Sequence, residues 1–395
     1  MSCAGEDIVD EHLECVASHW RERTVVVRSR IHDLVDLLRL DDQLRANLDG
    51  VVAAGELGWE LACHRAGSRE PGRVFGMVAV AGLRGDRDGL EAAVAPMLQD
   101  DAQWPPMISA LGWLPGPVVS PIIDDWLEYD GPRWRALGLA ASVAQRRDPR
   151  GAVDRGLLDH DPYVLRHAVR AAEVFGRRTL IETLRTLRGG RGLRFVVARA
   201  LLVLGDDDGA ANLWSYALER KARAEPAAEL AIRHVPLAAA RRWIDAAARI
   251  SAFDRLVVVG AAATGSPCMV PRLLAALHAP AVAALAGYGL QVMLGLDLDA
   301  TGLAIEPLST DDAELPYPDA AGVERWWHEH RARFNGDHRY LQGRRLRPST
   351  LREALLEGPQ HVRRVAAHDL YRLRVGHGLP FEVDAPAWRQ RRWLG

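Results

Sequence analysis

Turn residues recur along this sequence at intervals of about thirty residues, and this spacing constrains the fold more than any other feature. Each turn follows an apolar run, and successive turns lie 29 to 31 residues apart. The eight turns are marked by Gly85, Gly116, Arg147, Gly176, Gly205, Pro236, Gly265 and Gly295. A repeat of this length indicates a protein that stacks one supersecondary unit many times.

The residues on either side of each turn indicate that the unit is a pair of helices. The run before a turn, as in residues 196–204, is so rich in Ala, Leu and Val that a helix there would be apolar around most of its circumference and therefore buried. The run after a turn is amphipathic, as in residues 118–128. Such pairs bury their apolar faces only by stacking on their neighbours. We therefore predict an all-α fold, a HEAT/armadillo-like α-solenoid of helical-hairpin repeats of about 30 residues with capping segments at both ends.

The distribution of turns, prolines and charge divides the chain into four segments. They are an N-terminal helical cap (1–70), a HEAT-like repeat array (71–300), an acidic, proline-containing linker loop (301–321) and an arginine-rich C-terminal helical module with a tail (322–395).

Local sequence predicts where several helices begin and end. We expect one helix to run from Asp41-Asp42 to Asp49-Gly50. Asp148-Pro149 and Asp161-Pro162 are each expected to begin a helix as the N-cap and the first helical residue. In the C-terminal module the predicted helices are 323–334, a helix starting at Thr350, where Thr350 and Glu353 would form a capping box, and 359–373.

The arginine-rich end, Trp388 to Trp393, has two interpretations. In the first, the tail docks, Trp388 caps the apolar edge of the last helical pair, and the arginines face acidic residues of the linker, namely Asp311, Asp312 and Glu314. In the second, it is an exposed hook for a partner or for nucleic acid. We favour the cap.

Composition limits the classes of function. The 395 residues carry a formal net charge of -2, so the chain as a whole is not a polyanion binder. Lys221 is the only lysine among the 50 Lys and Arg residues, a skew typical of a GC-rich genome. The first ten residues lack a basic n-region, and no stretch reaches the ~20 apolar residues of a membrane span. The four scattered cysteines favour neither a disulfide framework nor a CxxC metal site. We expect a cytoplasmic protein without a membrane segment.

Two strings could suggest a metal site. In Trp326 to His330, His328 and His330 are two residues apart and would point away from each other on a helix, so an amphipathic helix with one of the tryptophans in the core is preferred. Asp206 to Gly209 looks like the start of an EF-hand loop, but Ala217 stands where the bidentate glutamate would be. These acidic residues are better explained as the N-terminus of a helix, where negative charge interacts favourably with the helix dipole.

Two further strings could suggest catalysis or phosphate contacts. Ser266-Pro267-Cys268 lies at a turn, where a helix N-terminus could activate a thiol, although a free cysteine usually fills a core. Arg185, Arg188, Arg191 and Arg194 are spaced by three and could contact phosphate oxygens, or form a solvated rim with Glu182. We assign no catalytic, cofactor-binding or metal-binding residue and expect no cofactor.

Two stretches resemble a known family. Residues 40–50 (LDDQLRANLDG), together with 58–61 (GWEL), resemble the N-terminal signature of an uncharacterised proteobacterial family of proteins with HEAT-like repeats. Residues 381–392 are similar to the C-terminus of that family, so the resemblance covers the whole chain. Genes of this kind often lie near type VI secretion clusters, which implies an accessory or immunity-type role. The repeats also resemble the short HEAT repeats of bilin-lyase-like proteins.

The predicted function is therefore a protein–protein interaction scaffold rather than an enzyme, and its partner is another protein of unknown identity. Twelve tryptophans, the residue type enriched at binding hot spots, favour this function, although most are expected to fill the core. One alternative is a HEAT-like protein that binds the nucleic-acid backbone. The other is a lyase- or hydroxylase-type enzyme on a HEAT-like scaffold.

Overall fold

A computed structural model of the chain describes residues 3–251, 254–306, 312, 314–373 and 380–394. These residues are all-α, as predicted, with four strands of two residues each. In the first half of the chain the helices are α1 (Cys3–Val26), α2 (Leu34–Ala53), α3 (Glu56–Ala66), α4 (Pro71–Leu83), α5 (Arg87–Val94), α6 (Trp104–Trp113), α7 (Gly116–Glu128), α8 (Pro132–Gln145), α9 (Ala152–Leu157), α10 (Pro162–Val174) and α11 (Ile181–Thr186).

The second half of the chain contains the remaining helices and the strands. The helices are α12 (Arg191–Leu204), α13 (Gly209–Leu218), α14 (Ala224–His234), α15 (Leu237–Ala248), α16 (Arg255–Ala263), α17 (Val270–Ala276), α18 (Pro280–Leu294), α19 (Ala320–His330), α20 (Pro348–Glu357), α21 (Gln360–Leu373) and α22 (Ala387–Leu394). The strands β1 (Ala304–Ile305) and β2 (Tyr317–Pro318) pair antiparallel, as do β3 (Tyr340–Leu341) and β4 (Arg344–Arg345).

The chain forms two compact units. Unit 1 comprises Met1–Leu184, Glu357–Arg364 and Leu379–Gly395, and unit 2 comprises Arg185–Leu356 and Val365–Gly378. Residues of the C-terminal module, 322–395, fall in both units.

Apolar helices at the repeat spacing form the core of each unit. In unit 1, α4, α6, α8 and α10 pack in succession, and in unit 2 α12, α14, α16 and α18 do the same. Every residue of α4 from Val74 to Gly82 is buried, which explains its lack of a polar face. The helices that lie between these apolar core helices in the sequence bury one face only. In α15 the buried residues are Ala240, Ile244 and Ala247, three or four positions apart.

Most of the predicted turns are confirmed. The backbone is left-handed at five of the six turn glycines, Gly85, Gly176, Gly205, Gly265 and Gly295. Gly116 instead is the first residue of α7 and Pro236 is the N-cap of α15, because their turns are extended and need no positive φ. The third turn is made by Arg146 (φ 54°), one residue before Arg147.

Other predicted helix boundaries are wrong. Helix α2 begins seven residues before Asp41, because Asp33 forms a capping box with Asp36. Helix α9 begins at Ala152, and Asp148 instead accepts a turn hydrogen bond from the Arg150 amide.

In the C-terminal module one boundary is wrong and one is close to its prediction. Thr350 lies inside α20, where its hydroxyl bonds the carbonyl of Arg347 instead of forming a capping box with Glu353. Helix α19 ends at His330, four residues earlier than predicted.

The N-cap at Asp161 and the start of α21 beside Pro359 are confirmed. None of the described helices is long and apolar enough to span a membrane.

We predict that the ends of the buried helices depend on turn glycines whose backbone is in the left-handed conformation. Gly205 has φ 89°, and no atom lies within 4 Å of a Cβ added there. Gly205→Ala should therefore lower the free energy of unfolding by about 1 kcal/mol through backbone strain alone. Gly190, at φ −60° and also without a neighbour for a Cβ, is the matched control. Urea denaturation followed by circular dichroism measures both variants, and equal midpoints would contradict the assigned turn.

Candidate functional site

The residues from Trp326 to His330 lie at the end of α19, where their aromatic rings are partly exposed. The ring of His330 stacks on Trp326 at 4.4 Å, and His328 is exposed. Trp326 and Trp327 are both half-buried, and the buried residues of this helix are Gly322 and Val323 rather than a tryptophan. Among the described residues, no three His, Cys, Asp or Glu side chains are grouped so that they could hold a metal ion.

Asp206 and three of the regularly spaced arginines, Arg185, Arg191 and Arg194, take part in ion pairs. The Asp206 carboxylate is buried and accepts a hydrogen bond from Arg185 Nε at 2.6 Å. Arg194 Nη2 donates to Glu219 Oε1 at 2.6 Å, and Arg191 pairs with the same carboxylate. Three of the four arginines therefore bind carboxylates of unit 2.

The Ser266–Cys268 turn contacts a loop of the C-terminal module. Ser266 is buried and its hydroxyl donates to the carbonyl of Gly336 at 3.0 Å. Cys268 is exposed, so the expectation that this cysteine fills a core is wrong. The Cys268 sulfur packs closely against Gly336, since a Cβ at Gly336 would lie 2.6 Å from it.

The C-terminal tail docks, but not where the sequence predicted. Ala387 of α22 lies in an apolar cluster with residues of α1, of α2 and of the turn after α1, namely Val26, Val27, Leu34, Leu37 and Leu40. Trp388 is only half-buried, whereas Arg389 and Gln390 are buried. Of the linker acids expected to meet the tail arginines, Asp311 lies outside the described residues and Asp312 pairs with Arg255 at 2.7 Å. The tail thus caps the N-terminal end of unit 1 rather than the last helical pair.

A buried ion pair anchors this tail. Arg23 Nε donates to Asp41 Oδ1 at 2.7 Å, and the other carboxylate oxygen accepts from the amide of Ala387 at 2.6 Å. Arg23 Nη2 also donates to the carbonyl of Asp384 at 3.1 Å. Burial raises the pKa of Asp41, although the Arg23 guanidinium and the Ala387 amide favour the ionised form. Asp41 is therefore a docking residue for the tail and not a helix start.

Two arginines, the buried Arg389 and the half-buried Arg339, also contact the ends of core helices. In unit 1, Arg389 Nη2 donates to the carbonyl of Leu114 at 2.6 Å, just after α6. In unit 2, the Arg339 guanidinium donates to the carbonyls of Ile232 at 3.3 Å and Thr264 at 3.2 Å, at the ends of α14 and α16. Desolvation lowers the pKa of each arginine to about 10, so both stay charged at neutral pH.

Two histidine rings meet inside unit 2. The ring centroids of His234 and His368 are 4.6 Å apart, and Asp369 beside them pairs with the buried Arg233 at 3.1 Å. Burial lowers the pKa of His234 to about 4 and that of His368 well below its ordinary value. Arg233 and Arg372 lower the pKa of His368 further. Both rings are neutral at physiological pH.

Tryptophans lie at the surface more often than expected. Five of the twelve are buried, namely Trp20, Trp104, Trp113, Trp126 and Trp214. The other seven are half-buried or exposed, namely Trp59, Trp134, Trp243, Trp326, Trp327, Trp388 and Trp393. The expectation that most tryptophans fill the core is therefore wrong.

Comparison with protein-family models, with curated proteins and with solved structures gives no match for this chain.

Breaking the buried ion pair should destabilise unit 1 strongly. Arg23→Met leaves Asp41 buried without its cation, and this should cost about 3 to 5 kcal/mol of unfolding free energy. Arg155→Met breaks an ion pair with Glu128 whose side chains are 58% and 69% exposed, and should cost less than about 1 kcal/mol. Urea titrations compare the two variants. Similar losses would mean that Arg23 does not anchor the tail.

Acid should destabilise unit 2 through the histidine pair. Because the folded pKa of His234 lies near 4 and its unperturbed value is 6.5, the stabilisation is complete above pH 6.5 and is lost as the pH falls toward 4. The free energy of unfolding should fall by up to about 1.4 kcal/mol per pH unit for each such histidine.

Denaturation at pH 7, 6 and 5 measures this slope, and His368→Leu should make it shallower. His328→Gln, which removes an exposed histidine, should leave it unchanged. An unaltered slope in the His368 variant would contradict the assignment.

Proposed function

We propose that this protein is a protein–protein interaction scaffold whose residues 71–300 form a HEAT-like α-solenoid. Support for the array comes from the recurrence of apolar helices every thirty residues and from their successive packing within each unit. Stacked helical pairs of this kind present long faces on which extended partners bind. An accessory or immunity-type role in bacterial secretion, and a cytoplasmic location, rest on the resemblance and the composition alone.

The observation that carries the proposal is the partial exposure of six tryptophans together with the exposure of a seventh, Trp393. Tryptophan is enriched at interface hot spots, since it offers a large apolar area and an N–H donor with little side-chain entropy to lose. In α15, Trp243 stacks on Trp214 at 5.7 Å, so the ring is held in place while part of it faces solvent. Leu158 and Ile250, which are 76% and 75% exposed, add apolar surface.

The nucleic-acid alternative is weakened by the ion pairs of the arginine stripe. Phosphate binding would have to displace Glu219 from Arg191 and Arg194, and Asp206 from Arg185. Each displacement leaves a carboxylate near the phosphate, which is repulsive. The exposed Arg391 and Arg392 of the tail are better placed to contact phosphates.

Affinity purification from the native host with nuclease-treated extract tests the proposal. The wild-type chain should retain a defined set of proteins, and Trp243→Ser combined with Trp326→Ser should retain several-fold less of them. Arg242→Ser combined with Glu329→Ser alters exposed positions on the same two helices and is the matched control.

Melting curves of both double variants must match the wild type for the comparison to hold, and Trp326→Phe, which keeps an aromatic ring, should bind better than the serine variant. Retention of nucleic acid alone, with a steep dependence on salt, would replace the scaffold with the nucleic-acid alternative. A stoichiometric metal or pigment in the purified protein would favour the enzyme.

A further inference from the structure

The last turn of α22 and the start of α2 lie together at the surface of unit 1. Leu394 of α22 and Leu38 of α2 are both half-buried and pack against one apolar cluster, which contains Leu34 and Ala387. This cluster therefore holds the two helix segments side by side. The outer side of these segments, with the end of α1 and the turn after it, is called the α22 surface and comprises Val25, Arg28, Ile31, Val35 and residues 391–394.

Apolar side chains project from the α22 surface. Of the eleven large apolar residues that are exposed in the described part of the chain, four lie here. Val25, Ile31 and Val35 are 63%, 56% and 50% exposed, so they stand out from the surface and do not line a groove. Trp393 is 41% exposed, with its ring 5.5 Å from the Arg146 guanidinium. Apolar area concentrated in this way marks an interaction surface.

The same surface carries an excess of positive charge. Residues 23–42 and 387–394 contain seven arginines and four aspartates. Three of these arginines, Arg28, Arg391 and Arg392, are exposed, and among the described residues no carboxylate forms an ion pair with them. They differ in this respect from the regularly spaced arginines of unit 2, so an anion can approach them without displacing an acid.

Most of the aspartates on these segments are already bound. Asp41 is buried in its ion pair, and Asp36 lies 3.6 Å from Arg39. The Asp33 carboxylate accepts the amide hydrogen bonds of the α2 N-cap. The fourth aspartate, Asp42, is exposed and opposes three exposed arginines. The outer side of the α22 surface therefore has a net positive charge.

The aliphatic side chains decide between a lipid surface and nucleic acid. Nucleic-acid bases stack on aromatic rings, and a duplex offers phosphates to cations. Val25, Ile31 and Val35 can meet neither group, so a duplex held by the arginines would press them against charged phosphates. At a membrane, arginines reach the headgroup phosphates while aliphatic side chains enter the hydrocarbon boundary. Tryptophan, here Trp393, is enriched at that boundary.

The projection of these side chains also favours lipid over a folded protein partner. A protein surface is packed as densely as an organic crystal, so each projecting side chain would need a pocket already shaped for it. Acyl chains are fluid and rearrange around an inserted side chain of any shape. Projecting apolar residues beside unpaired cations therefore fit the interface of a membrane that contains anionic lipids.

We propose that the α22 surface binds reversibly to membranes that contain anionic lipids. Arg28, Arg391 and Arg392 contact the headgroup phosphates, and Trp393 lies at the boundary with the acyl chains. Because only a few charges and a few apolar side chains contribute, the binding is weak and salt reduces it further. This activity is separate from the protein–protein scaffold, and α22 stays docked on unit 1 through Ala387.

Flotation of the full chain with lipid vesicles tests the proposal. Vesicles of one part phosphatidylglycerol and two parts phosphatidylcholine should carry the protein upward in a density gradient, whereas vesicles of phosphatidylcholine alone should not. Raising the salt concentration should release the protein from the anionic vesicles.

Charge variants identify the residues that bind. Arg391→Ser combined with Arg392→Ser should bind the anionic vesicles about tenfold more weakly. Arg166→Ser combined with Arg178→Ser removes the same charge from exposed positions on α10 and just after it, and should weaken binding less than about twofold. Melting curves of both variants should match the wild type, because the substituted side chains are exposed.

Apolar variants test insertion separately from charge. Ile31→Ser combined with Val35→Ser should bind the anionic vesicles several-fold more weakly. Ile8→Ser combined with Leu158→Ser removes two exposed aliphatic side chains elsewhere in unit 1 and should bind like the wild type.

Bromine on the acyl chains quenches tryptophan fluorescence at short range and so reports the depth of Trp393. Anionic vesicles with brominated chains should quench the wild type, and Trp393→Phe should lose most of this quenching. Trp134→Phe, which changes a half-buried tryptophan elsewhere in unit 1, should be quenched like the wild type.

Four outcomes would overturn the proposal. They are absent flotation or equal flotation with both kinds of vesicle, equal losses in the arginine variant and its control, tighter binding to duplex DNA than to anionic vesicles at the same salt, and loss of retained proteins in the arginine variant without a loss of flotation. The third would assign the arginines to nucleic acid and the fourth to a protein partner. The variant at Trp243 and Trp326 keeps the whole α22 surface and should still float, so the two proposals fail separately.

Discussion

This structure depends on one constraint. The carbonyl groups at the C-terminal ends of the buried helices have no donor within their own helix and must be paired by other parts of the chain. A helix leaves its last four carbonyls without an intrahelical donor, and here the helices end against the core. Left-handed residues such as Gly205 turn the chain so that following amides reach some of these carbonyls. Others are met by side chains and amides from far along the chain: Arg389 after α6, Arg339 after α14 and α16, and the amides of Gln342 and Gly343 at α18.

This constraint explains why the C-terminal module is part of the fold rather than an appendage. In a simple repeat protein each unit contacts only its neighbours, and the ends are independent. Here Arg389 lies 275 residues from the carbonyl of Leu114 that it binds, and Ala387 lies 346 residues from Asp41. Such contacts close long loops at an entropic cost that grows only slowly with length. Unit 1 therefore joins both ends of the sequence.

Local and periodic features were predictable from sequence, whereas long-range polar contacts were not. The spacing of turns predicted the buried helices because each glycine and apolar run acts within one helical pair. The sequence predicts a helix start at Asp41 because acidic residues are common at helix starts, whereas the role of Asp41 in the fold depends on Arg23 and the tail beside it. Nothing periodic marks a contact between residues 41 and 387. The docking site of the tail and the exposure of Cys268 were missed for the same reason, since both depend on segments remote in sequence.

Arginine–carboxylate ion pairs are also the main feature of the charged surface. Arginine is the cation of nearly every ion pair, and its planar fork lets one side chain hold two carboxylates, as Arg255 does with Glu225 and Asp312. A surface whose arginines are already bound to acids attracts polyanions weakly, so the apolar area of its partly exposed tryptophans is what it offers to a partner.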